Sequence, residues 1–168
     1  DTIRSGQILM HRQQFGVVAE PLAAKCRPRS EYDAKFSAPY AVATALVKGR
    51  FGLAELANEA REDPRVLALA QRLTCSHDDR SLYPTVFSGG LSLVLDDGQQ
   101  LEHFETINRG AGERQLALQE VKTKFEQNCA PSLSVTHTDA LWRAILELDS
   151  SSDCHELLQL LRSPLANV

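Results

Sequence analysis

A helix with both ends written into the sequence runs from Ser37 to Gly49. The Ser37 hydroxyl can accept from a first-turn amide that has no partner inside the helix. Pro39 then falls in the first turn, where a missing N–H costs little. Val42, Ala45 and Leu46 follow at helical spacing among other small apolar residues, and Gly49 stops the run just past them. A segment like this predicts a buried helix around which other elements pack closely. Lys35 lies just before its N-terminus, where free amides and the helix dipole favour an anion. Two readings of Lys35 are open from spacing alone: a solvated lysine ahead of a core helix, or one wall of a carboxylate-binding corner.

The flanking segments predict a mixed architecture. Residues 2–11 alternate loosely through Ile3, Ile8, Leu9 and Met10 and read as a strand. From Arg12 to Glu31 no period is clear, and Gly16, Pro21 and Pro28 interrupt it, so a long loop is expected with one helical turn around Leu22 to Lys25. Lys25, Arg27, Arg29 and Lys35 put four cations within eleven residues. They read equally as a solvated basic loop or an anion-binding one. After the central helix come a short helical piece over Leu53 to Ala60 and a second clear helix. That helix is capped by Asp63, has Pro64 first, and carries an apolar face of Val66, Leu67, Ala70 and Leu73. Thr74 to Arg80 reads as a short strand or an extended link.

Leu91, Leu93 and Leu95 alternate with Ser92 and Val94 up to an Asp97-Gly98 turn, and a second alternating run follows from Leu101 to Ile107. With the opening strand, this hairpin predicts an α+β fold: a small antiparallel sheet of at least three strands covered by helices. Three more helices are expected over Gln115 to Asn128, Ser134 to Leu148 with Trp142, and Cys154 to Leu161. Ser132 or Ser134 is the candidate cap of the second, and Asp153 of the third.

Composition sets outer limits on function. The net charge of −4 gives no general attraction to nucleic acid or to an anionic membrane, and no apolar run is long enough to span a bilayer. Cys26, Cys75, Cys129 and Cys154 are scattered without a C-x-x-C and read as free thiols in a reducing cytoplasm. His11, His77, His103 and His137 read as isolated surface or strand-face residues. There is no phosphate loop, nucleophile elbow or metal motif, so the chain by itself does not contain a complete active site. It opens on DTIRSGQILMHR without an initiator methionine and reads as cut from something longer.

AKFSAPYAVATALVKGRFGL, its Phe-Ser-x-Pro-Tyr opening above all, and the later EDPRVLALAQRL resemble the C-terminal domain of the MmgE/PrpD family. More diffusely, the resemblance runs from Ile3 to the LLQLLRSP tail. It implies one α+β lid domain over residues 1–168, the C-terminal part of a longer chain whose helical N-terminal domain supplies most acid/base groups. It also implies a lyase or isomerase acting on a small di- or tricarboxylate, in the manner of 2-methylcitrate dehydratase or cis-aconitate decarboxylase. No metal, iron–sulfur cluster or other cofactor is called for, and a homodimer is expected. Lys35 would bind a substrate carboxylate or assist proton transfer, and Tyr40 would point its phenol into the cleft. Ser37, Tyr83 and Arg29 complete the expected substrate contacts. The alternative is a non-catalytic α+β module for binding or assembly, in which Lys35 and Tyr40 are structural.

Overall fold

A computed structural model describes residues 3–162, which divide into two compact units at the Gln115–Leu116 bond. The first unit holds a four-stranded sheet: β1 (Ile3–Met10), β2 (Leu73–His77), β3 (Gly89–Leu95) and β4 (Gln100–Glu105), in the order β2-β1-β3-β4. Between β1 and β2 run six helices: α1 (Phe15–Val18), α2 (Leu22–Cys26), α3 (Glu31–Lys35), α4 (Ala38–Lys48), α5 (Asn58–Arg61) and α6 (Pro64–Ala70). The expected antiparallel set is present, with β3 antiparallel to both β1 and β4. The sheet is mixed, however, because β2 joins β1 in parallel, Gly6 opposite Leu73 and Met10 opposite His77. Parallel pairing needs a long crossover, and α1 to α6 provide it. Thr2, at the start of the expected first strand, lies outside the described residues.

The signals at the ends of α4 act as the sequence implies. Ser37 Oγ accepts from the Tyr40 amide at 3.0 Å, Pro39 sits in the first turn, and Gly49 takes the left-handed conformation at φ 73°. On α6, Asp63 accepts from the Arg65 amide at 3.0 Å, and Val66, Leu67, Leu69 and Ala70 are buried. Tyr40, Ala43 and Val66 are completely buried and share one core with Ile8, Met10, Leu73 and Leu93 from the sheet. Small residues on α4 let α6 approach closely. Gly6 is needed at the centre of the sheet, because a Cβ there would come within 2.7 Å of both Leu73 Cδ2 and Leu93 Cδ2.

Residues 12–31 are more regular than expected. Arg12–Gln14 form a 3₁₀ turn that leads into α1, α2 follows, and α3 begins at Glu31. Helices this short lack a readable period, and they hold here because Ala19, Cys26 and Ala34 are drawn into the core. The piece expected over Leu53 to Ala60 is two elements, a 3₁₀ turn at Leu53–Leu56 and then α5.

The second unit contains α7 (Leu118–Cys129), α8 (Val135–Leu146) and α9 (His155–Arg162). Phe125 and Trp142 pack with ring centroids 5.4 Å apart, and Lys122 lies 3.6 Å from Asp139. Ser134 caps α8 by accepting from the His137 amide, and Asp153 accepts from the His155 amide at 2.8 Å. Ser163 and Pro164 of the LLQLLRSP tail lie outside the described residues. Among the described residues no helix is long and apolar enough to cross a membrane.

Candidate functional site

The site grows from the joint between α3 and α4. Ser30 opens α3 by accepting from the Asp33 amide at 3.0 Å, and the Asp33 carboxylate accepts from the Arg29 amide at 3.2 Å. The chain then turns at Phe36 and Ser37, and Lys25 pins that turn from below. Its Nζ donates to the carbonyl oxygens of Val17 at 2.5 Å and Phe36 at 2.7 Å. Ser37 completes the clamp by donating its hydroxyl to the Lys25 carbonyl. Ser37 is 2% exposed and has both of its hydrogen-bonding roles filled inside the chain.

Tyr40 is 0% exposed, and its hydroxyl donates to the Glu55 carbonyl at 2.7 Å. Burial pushes the phenol up from its ordinary value. Within this chain the hydroxyl ties α4 to the 3₁₀ turn and is closed off from solvent. Thr44 Oγ1, equally buried, donates back to the Tyr40 carbonyl at 2.7 Å. Glu55 is held in turn. Burial works to raise its carboxyl, but hydrogen bonds from Arg50 Nε at 2.8 Å and the Gly52 amide at 2.9 Å outweigh it and keep it below the usual range.

Lys35 is different. It is exposed at the end of α3, and among the described residues its ammonium has no hydrogen bond and no ion pair. Tyr32 and Phe36 flank it with ring centroids 4.9 Å apart, Tyr32 being 70% exposed. Of the four basic residues, Lys25 is consumed as a clamp and Arg27 pairs with Glu62 at 3.3 Å. Arg29 lines an open hollow of about 560 Å³ with Pro21, Ala24, Arg27, Pro28 and Glu62. The structure therefore brings Arg29, Lys35, Ser37 and Tyr40 to one region, with the cations outside and the hydroxyls inside.

Tyr83 lies elsewhere, beyond the ends of β1 and β2. Its ring stacks on His11 at 5.5 Å and meets Phe87 edge-on at 5.3 Å. His11 and His77, expected to be isolated, pack edge to face at 5.5 Å because the parallel register sets Met10 beside His77. His77 Nδ1 accepts from the Arg12 amide at 3.2 Å, which leaves the Nε2 proton facing Asp79 at 3.0 Å. No sequence signal announces this group, since parallel pairing leaves no turn between its strands. No hydrogen bond or ring contact among the described residues joins Tyr83 to the α3–α4 joint.

A cleft of about 630 Å³ is lined by Ile3, Leu46, Val47, Pro64, Leu69 and Arg72. None of the expected site residues faces it. All four cysteines are unpaired, and burial pushes the Cys75 thiol up to about 11, which keeps it protonated at neutral pH. Among the described residues no group of three or more His, Cys, Asp or Glu is placed to hold a metal.

A mixed sheet with a helical crossover and a pinned α3–α4 turn define an α+β domain. The MmgE/PrpD C-terminal domain matches residues 1–150, and the chain belongs to that family. The match ends before α9, so it is shorter than a resemblance drawn to the LLQLLRSP tail. Cis-aconitate decarboxylase of Mus musculus is 23% identical over 139 residues, which are 82% of this chain and 28% of that protein. The chain thus spans little more than a quarter of that relative's length.

Proposed function

We propose that the chain forms the substrate-closing lid of a cofactor-free lyase or isomerase acting on a small di- or tricarboxylate. Membership of the MmgE/PrpD family over residues 1–150 carries this reading. Lys35 supplies the chemistry on this side of the cleft. Proton transfer next to a carboxylate builds negative charge, and an ammonium in a desolvated cleft stabilises it. Arg29 adds a second cation for a substrate with more than one carboxylate. Ser37 and Tyr40 act behind them by fixing the turn that carries Lys35, and Tyr83 offers a phenol at the other end of the crossover. A helical domain of the same chain contributes the main acid and base, and the working protein is a cytoplasmic homodimer.

The exposed pair Tyr32 and Phe36 favours a second reading, a binding or assembly module in which this face docks a protein. Turnover by the full-length protein on a panel of citrate-like and aconitate-like acids separates the two. Cis-aconitate comes first, because the mouse relative bears its name. The lid reading expects turnover that Lys35→Ala lowers by about 10²–10³-fold without unfolding the protein. A protein inert on the whole panel favours the docking module.

A further inference from the structure

Arg61, the last residue of α5, is 8% exposed, yet among the described residues it forms no ion pair. Its one side-chain hydrogen bond among the described residues runs from Nη2 to Asn58 Oδ1 at 2.9 Å, and its Nε is enclosed with no partner at all. Of the carboxylates nearest in the chain, Glu59 is exposed and forms no ion pair with Arg61 among the described residues, and the others are already taken. Glu55 is held by Arg50 at 2.8 Å, Glu62 by Arg27 at 3.3 Å, and Asp63 by Arg65 at 2.9 Å and Lys48 at 3.6 Å. A guanidinium stays charged at any ordinary pH, and enclosing it without a counter-charge is unfavourable. Its planar fork matches an oxyanion such as a carboxylate, bound through two parallel hydrogen bonds.

We propose that Arg61 is the receptor for a carboxylate that this chain does not itself supply. The surroundings fit a site rather than a stray charge. Arg61 follows the Leu53–Leu56 turn, whose Glu55 carbonyl holds the Tyr40 hydroxyl. α3, which ends in Lys35, packs against the same turn. Two cations without an internal counter-charge are thus carried by elements that share one support, an arrangement suited to an acid with more than one carboxylate. The carboxylate comes either from the substrate or from an aspartate or glutamate elsewhere in the longer protein. Only the first source rests on the lyase reading.

The test uses the full-length protein with Arg61→Met, Arg61→Gln and Arg61→Lys. Thermal unfolding is followed with and without propane-1,2,3-tricarboxylate at matched ionic strength. A substrate carboxylate predicts a rise of about 4 °C or more for wild type on adding the acid, lost in Arg61→Met and Arg61→Gln and kept in part by Arg61→Lys. A carboxylate from the protein predicts the same ranking without acid, and no Arg61-dependent response when acid is added. Arg61→Gln equal to wild type in both conditions overturns the proposal, as does Arg61→Lys falling as far as Arg61→Met. Turnover is scored beside it. No turnover with the ranking intact sinks the lyase reading and keeps the carboxylate site; normal turnover with Arg61→Gln equal to wild type does the reverse.

Discussion

Lys25 and Lys35 lie on the same short stretch of chain, and the structure uses them in opposite ways. Lys25 spends its ammonium on two backbone carbonyls and so locks the turn after α3. Lys35, one helix further on, stands at the surface with no internal partner. The same division separates the inner hydroxyls from the outer cations. Ser37, Tyr40 and Thr44 are enclosed and fully engaged, whereas Arg29 and Lys35 face outward. A buried polar group must find its partner within the fold or lose its hydration without return. A surface cation carries no such debt and is free to meet a ligand. The difference fits the proposed roles, support for the first set and recognition for the second.

The sharpest way to break that division is Lys35→Ala in the full-length protein. Loss of one charge-stabilising donor predicts a fall in turnover of about 10²–10³-fold, with stability within about 0.5 kcal/mol of the parent. Parallel activity assays and denaturant melts check it. Unchanged turnover removes Lys35 from the site.

Next in size are two changes on the supporting side. Gly6→Val forces a side chain between Leu73 and Leu93, and overpacking of this kind predicts a loss of about 1–3 kcal/mol in a denaturant titration. Tyr40→Phe leaves the Glu55 carbonyl without its buried donor and predicts a loss of about 1–3 kcal/mol, with only an indirect effect on turnover. A Tyr40→Phe protein as stable as the parent but inactive would move Tyr40 from support to direct contact with substrate.

The smallest effect concerns Asp63, whose carboxyl the Arg65 guanidinium holds at about 2, with burial opposing and the Arg65 amide and Lys48 assisting. Because its folded value lies below the ordinary aspartate value of 3.8, the contribution is fully present above that pH and is lost as pH falls toward about 2. Asp63→Asn keeps the α6 cap and removes the charge, so its stability should match the parent near pH 2 and fall below it at neutral pH. Melts across that window read the gap, which is expected at about 1 kcal/mol because Arg65 is largely solvated. A gap that does not change with pH would make Asp63 a cap only.

The sequence by itself determined what is decided over a few residues. Ser37, Pro39 and Gly49 delimit α4, Asp63 and Pro64 open α6, and Asp97-Gly98 folds β3 onto β4, because caps and turns act within one turn of backbone. The Phe-Ser-x-Pro-Tyr opening also carried the family, since its residues lie side by side in the chain. Tertiary structure alone decided the rest. The parallel pairing of β2 with β1 joins segments more than sixty residues apart, and the meeting of His11 with His77 follows from it. The enclosure of Tyr40, the clamp made by Lys25 and the enclosure of the Arg61 guanidinium without a counter-charge depend on which elements come to lie over them. Spacing can say that Lys25 and Lys35 are both cations; only packing, by supplying carbonyls to one and solvent to the other, gives them different work.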